Sequence, residues 1–104
     1  MTAGGGPVLE HAVLEIVPGR EAEFEAAFDE AVPLLAASEG CRTVRLSRCV
    51  EEPGRYLLLV EWDSVEAHAE GFRGSPVYDE WRRLLHHFWE PRPTVEHFAT
   101  VATG

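Results

Sequence analysis

The run from Tyr56 to Trp62, YLLLVEW, constrains this chain more than any other stretch. As a strand it presents apolar side chains to both faces of its sheet, so both faces need a cover. It passes at once into Asp63-Ser64, with Glu66 three residues beyond the aspartate, a capping-box pattern that opens a helix. Upstream, Glu51-Glu52-Pro53-Gly54 is a turn too short for a crossover, so the strand before it, Cys41 to Val50, must run antiparallel. On that strand Val44, Leu46 and Val50 share one face and Thr43, Arg45 and Ser47 the other.

The other elements fall into place around this hairpin. Residues 8–17, VLEHAVLEIV, read as a first strand ended by Pro18-Gly19. Residues 20–38 read as a helix with Phe24, Phe28, Ala31 and Leu35 on one face, bent by Pro33 near residues 29–33 and stopped at Gly40. The helix after Trp62 breaks at Gly74. Ser75 and Pro76 then cap and open another that runs to Trp89. Thr94 to Val101 is the last strand, after Pro91-Arg92-Pro93. Residues 1–7 form a glycine-rich flexible leader and 8–104 a single domain. The order β-α-β-β-α-β is the α+β, ferredoxin-like arrangement, a four-stranded antiparallel sheet with helices on one face. Helices then cover only one side of Tyr56–Trp62. A second copy on the open face, giving a two-fold homodimer, is the economical cover for the other.

A net charge of −9 argues against a nucleic-acid partner, which needs a basic footprint, and against an anionic membrane surface. No apolar run approaches the roughly 20 residues of a membrane span, and MTAGGGPV lacks the basic start and apolar core of a signal peptide. Cys41 and Cys49 lie on one extended strand, about 26 Å apart at about 3.3 Å per residue, out of disulfide reach. Unpaired thiols fit a cytoplasmic setting.

His68 is the foremost candidate for chemistry, because an imidazole accepts or donates a proton near neutral pH. The competing reading is a helix histidine satisfied by backbone or water. Trp62, Phe72, Tyr78 and Trp81 can wall a pocket for a planar aromatic ligand, with Tyr78 offering a hydroxyl, or can simply be core. His86 and His87 point about 100° apart on a helix and suit a solvated face. His11 and His97, each beside a glutamate (Glu10, Glu96), make a metal site conceivable, but no metal-binding motif is written here, and no metal is expected. Arg42, Arg45 and Arg48 suit ion pairs at a dimer face. No GxSxG, P-loop or Rossmann fingerprint is present.

The stretches VLEIVPGREAEFEAAF, SEGCRTVRLSRCVEEPGRY, YLLLVEWDSVEAH, FRGSPVYDEW and PTVEHF together resemble the antibiotic biosynthesis monooxygenase family of dimeric α+β barrel proteins, over about residues 8–101. In its quinone-forming members the resemblance puts a tryptophan at the end of the third strand, where Trp62 stands. It puts a tyrosine six residues later, where this chain has His68, and an asparagine four residues before the tryptophan, where it has Leu58. Heme-degrading members use an asparagine, a tryptophan and a histidine at places held here by Ala12 (or His11), Phe72 and about Arg82, so their triad is missing. The resemblance implies a monooxygenase that needs no cofactor and oxidises a small aromatic, a quinol, phenol or polyketide-like molecule. His68 would be its base, and Trp62, Phe72, Tyr78, Trp81 and Leu58 would surround the substrate. The alternatives are a non-catalytic dimeric module that binds a small apolar ligand, and an isomerase or cyclase on the same scaffold.

Overall fold

The computed structural model describes residues 6–104; the leader expected at 1–7 therefore lies mostly outside the described residues. Its elements are β1 (Val8–Glu15), α1 (Glu21–Ala36), β2 (Cys41–Arg48), β3 (Arg55–Trp62), a π-helical turn (Ala67–Phe72), α2 (Pro76–Leu85) and β4 (Val95–Phe98). The sheet order is β2-β3-β1-β4 with every neighbouring pair antiparallel, the ferredoxin-like topology expected from the element order. No described helix is long and apolar enough to cross a membrane.

Strand periodicity decides what the sheet buries. In β1 the even positions Val8, Glu10, Ala12 and Leu14 turn toward the helices, and in β3 so do Tyr56, Leu58, Val60 and Trp62; all are buried. From the helix side α1 contributes Phe24, Phe28, Ala31 and Leu35, the stripe its spacing predicts, and α2 contributes Trp81 and Leu85. Phe24 meets Tyr56 edge-on at 5.0 Å between ring centroids, and Phe28 meets Trp81 at 5.7 Å, both favourable T-shaped geometries. α1 continues unbroken through Pro33. Pro33 faces solvent, where water can serve the carbonyl left without its amide partner.

Several boundaries differ from the expected ones, each for a visible reason. β2 stops at Arg48 because the Cys49 N–H closes the hairpin on the Arg55 carbonyl (2.8 Å), so Val50 lies in the turn and is 90% exposed. The helix expected to reach Trp89 ends at Leu85. The chain beyond is drawn onto the end of β1: Val17 N–H donates to the Phe88 carbonyl (2.8 Å) and Glu90 N–H to the Glu15 carbonyl (3.0 Å). β4 is four residues rather than eight, since Phe98 already pairs with Leu9 and β1 begins one residue earlier. Asp63 is not the helix cap. The β2–β3 register slips between Cys41 and Thr43, a bulge that frees Arg42 to bind Asp63 at 2.5 Å. The Ser64 hydroxyl accepts the Ala67 N–H instead, at 3.1 Å. Arg48 likewise pairs within the chain, with Glu25 at 2.8 Å, so two of the three arginines assigned to a dimer face are engaged elsewhere.

The odd positions form the second face, which no element among the described residues covers. Leu9, Leu57 and Leu59 are half-buried there, and Val13 and Phe98 are 39% and 48% exposed. Cys41 and Cys49 are free thiols.

Candidate functional site

The site grows from one irregularity in a strand pattern. Glu10 occupies an even, helix-facing position of β1 among Val8, Ala12 and Leu14, and is itself buried. An unpaired carboxyl there would be costly. It has partners. The Trp62 indole N–H donates to Glu10 Oε1 at 2.9 Å, and His68 Nε2 stands 3.4 Å from the same oxygen. On its far side His68 Nδ1 meets His97 Nε2 at 2.8 Å. The β1–β4 register sets Glu10 opposite His97, and β3 ends at Trp62 just before the turn that carries His68. Three strands and one helical turn thus converge on a line running Trp62, Glu10, His68, His97.

His68 is aimed by an unusual backbone. The turn from Ala67 to Phe72 is π-helical, with Arg73 N–H donating to the His68 carbonyl five residues back at 3.1 Å; such wide turns are rare and often mark functional sites. The imidazole stacks on the Trp62 indole, 5.1 Å between centroids and 20° between planes, and Phe72 lies 6.4 Å away at 24°. Turning the ring about its bond to Cβ would break the contact with His97 and the approach to Glu10.

Electrostatics favour neutral groups. Burial raises the Glu10 carboxyl above its ordinary value, against the opposing pull of the Trp62 hydrogen bond and the Arg73 charge. Burial, then Arg73, then His97 lower His68 to about 3. His97 is lowered by burial and Arg73. A protonated Glu10 can donate to His68 Nε2 while Nδ1–H donates to His97. With Glu10 ionised, the opposite tautomer and the reverse direction serve equally. Moving a proton along the line therefore switches the tautomers of both rings together, with His97 releasing or taking up a proton at Nδ1.

Beside this line lies a cavity of about 440 Å³ between the sheet and α2. Of the residues proposed from sequence, His68, Leu58, Phe72, Tyr78 and Trp81 line it. Trp62 does not; it is completely buried behind His68. Tyr78 packs edge-on to Phe72 at 5.4 Å. His86, expected on a solvated face, is half-buried and lines the cavity, because α2 ends one residue before it and turns it inward; His87 alone is exposed. His11 and Glu96 pair on the opposite sheet face, apart from Glu10 and His97, which separates the four residues of the conceivable metal site into two pairs. Among the described residues no three metal-ligating side chains are grouped to hold an ion.

Arg73 and Arg92 also line the cavity and went unremarked in the sequence, and Glu10, which lines it too, was considered only for a conceivable metal site. For Glu10 the signal was there: it is the one charged residue at an even position of Val8–Leu14. Arg73 and Arg92 sit in connections whose direction no periodicity reveals.

A four-stranded antiparallel sheet with its helices on one face, a cavity of about 440 Å³ beneath them and a buried carboxyl–histidine line along one wall place the chain in the ferredoxin-like α+β class. Within it the chain belongs to the antibiotic biosynthesis monooxygenase family, whose model matches residues 7–84. It is 54% identical over 94 residues to the uncharacterized protein YczJ of Bacillus subtilis strain 168, covering 90% of this chain and 99% of that one. A solved Bordetella bronchiseptica structure bearing the family's name is 40% identical, with a TM-score of 0.89 over 93% of this chain and 99% of that one. SnoaB of Streptomyces nogalater, a cofactor-independent oxygenase, shares the fold at 18% identity, with a TM-score of 0.81 over 93% of this chain and 95% of its own.

Proposed function

We propose that this protein is a monooxygenase that oxidises a small, electron-rich aromatic, a quinol, phenol or polyketide-like molecule, without a cofactor. Family membership supports the reaction class, and SnoaB's description as a cofactor-independent oxygenase supplies the precedent on this fold. The observation that carries the reading is the placement of His68: buried, lining the cavity, and hydrogen-bonded to His97 beside Glu10.

In such a reaction the substrate itself supplies the electrons for O₂. Removing an acidic proton from a phenol or enol raises its electron density and makes that transfer easier. A ring methylene taken to a carbonyl consumes one O₂ and releases one water, with all four electrons drawn from the substrate. His68 accepts the first proton at Nε2 or passes it to Glu10, and the bond to His97 leads it outward to a half-buried residue. An isolated imidazole held near 3 is a weak base. Its competence comes from Glu10, since an imidazolium formed beside a carboxylate is an ion pair rather than a lone buried charge. Phe72, Trp81 and Leu58 supply the flat apolar walls, Tyr78 a hydroxyl, and Trp62 the stack that holds His68 in place.

Oxygen uptake with a panel of hydroquinones, compared between the native protein and His68→Ala, tests the reading. A fall of about 10²-fold or more in kcat is expected for loss of a proton-transfer group; equal turnover removes His68 from the mechanism. Leu58 favours a second reading, a non-catalytic binder of apolar ligands, because an alkyl group stands in the cavity wall where the family's quinone-forming members carry an amide. Tight binding of aromatics with no oxygen consumed would establish that one.

We further propose a two-fold dimer through the open sheet face, where Leu57 and Leu59 of the central strand β3 are only half-buried among the described residues.

A further inference from the structure

The chain has nine basic residues, all arginines, against eighteen acids. Among the described residues five are held in ion pairs: Arg20 with Glu23, Arg42 with Asp63, Arg48 with Glu25, Arg55 with Glu15 and Arg83 with Glu80. In so acidic a chain an arginine without a carboxylate partner is the exception. Two of the four exceptions, Arg73 and Arg92, line the same cavity. They come from different elements, Arg73 from the end of the π-helical turn and Arg92 from the connection between α2 and β4. Both are exposed, as a rim would be, whereas Leu58, Phe72, Trp81 and Glu10 below them are buried. Among the described residues that line the cavity the one carboxyl is Glu10, which is buried and accepts the Trp62 indole N–H. The cavity thus has an apolar floor, a proton-handling wall and a rim of two arginines that form no ion pair among the described residues.

We infer that the ligand of this cavity is an aromatic anion, its flat body against Phe72, Trp81 and Leu58 and a carboxylate at the Arg73–Arg92 rim. This names a substrate class for the site proposed above and rests on that site being where ligand binds. A guanidinium presents a planar fork of donors that a carboxylate matches with two hydrogen bonds, and a partly enclosed rim screens the attraction less than open water does. The charge at the rim also orients the ligand, leaving its far end toward His68.

The test compares 2-naphthoate with its uncharged amide, 2-naphthamide, by quenching of tryptophan fluorescence, since Trp81 and Trp89 both line the cavity. The native protein should bind the acid about tenfold more tightly than the amide, a margin that narrows as salt is added. The double variant Arg73→Gln/Arg92→Gln should bind the two alike. Equal affinities in the native protein, binding of neither probe, or a preference that survives in the double variant would overturn the inference. No oxygen enters this measurement. A carboxylate preference in a protein that consumes no O₂ with any quinol leaves the anion site standing and removes the oxygenase; turnover of neutral quinols with no carboxylate preference does the reverse.

Discussion

His68 and His97 meet ring nitrogen to ring nitrogen, Nδ1 to Nε2, at 2.8 Å. One ring must donate and the other accept, so the tautomer of each ring sets that of the other. His97→Phe keeps an aromatic ring at the position and removes that constraint. With the tautomer released, turnover in the oxygen-uptake assay should fall by about 10–100-fold, the usual cost of losing a group that orients a working side chain. Nitrogen-15 spectra of the imidazoles would show His68 shifting to a mixed tautomer. Unchanged spectra together with unchanged turnover would remove His97 from the line.

Glu10 does two separable jobs, accepting the Trp62 indole N–H and carrying a titratable proton next to His68. Glu10→Gln retains an acceptor for the indole and cannot ionise. Glu10→Leu retains neither. The glutamine variant should melt close to the native protein yet lose turnover. The leucine variant strands a buried N–H at a cost of about 1–3 kcal/mol, and about 4–8 °C of Tm per kcal/mol is expected for a domain of this size. Identical melting of the two variants would mean the indole bond contributes nothing to stability.

The sequence carried the fold further than the site. Element order and the alternation in Val8–Glu15 and Tyr56–Trp62 lead to a four-stranded sheet with helices on one face, because period-2 and 3.6-residue patterns are local properties. His68 and most of the aromatic wall were legible for a related reason, as they cluster around one strand-to-helix junction. The sequence sets His97 and His11 on neighbouring strands, each beside a glutamate. Only the β1–β4 register, a product of tertiary packing, shows that the two lie on opposite faces. The inward turn of His86 and the stop of α2 at Leu85 depend on hydrogen bonds to the end of β1, which no local pattern encodes.

The buried histidine makes stability sensitive to acid. His68 is lowered from 6.5 to about 3, and His86 and His97 are lowered as well, each chiefly by burial. Below pH 6.5 the unfolded chain takes up protons that the native state refuses, so stability falls with pH through this window. Glu10, raised by burial, opposes the trend, because the native state binds its proton more readily than the unfolded chain does. The histidines outnumber it. Between pH 6.5 and 5 His68 alone should account for roughly 1–2 kcal/mol. Thermal melts across that range should decline in the native protein and flatten in His68→Phe. Native and His68→Phe melts that change alike across this range would show that His68 titrates normally.

Leu59 is the point at which the proposed dimer is most exposed to test. It lies in β3, a central strand, on the uncovered face, flanked by His11 on β1 and Arg45 on β2. In the single chain it is only half-buried, and Leu57 on the same strand likewise. Apolar side chains in the middle of a sheet cost solubility unless another surface meets them, and two copies related by a two-fold axis meet with the same patch. Light scattering should therefore give the native protein twice the chain mass of 11.6 kDa. Leu59→Asp puts two carboxylates near the axis with no partner charge, and a desolvated like-charge pair costs several kcal/mol, enough to shift the population to single chains at micromolar concentration. The cavity lies on the other side of the sheet, so the variant's tryptophan quenching by naphthoate reports whether that half of the molecule stands without its copy. A native protein that scatters as one chain would end the dimer proposal, and would leave Leu57 and Leu59 as solvent-facing residues in need of another partner.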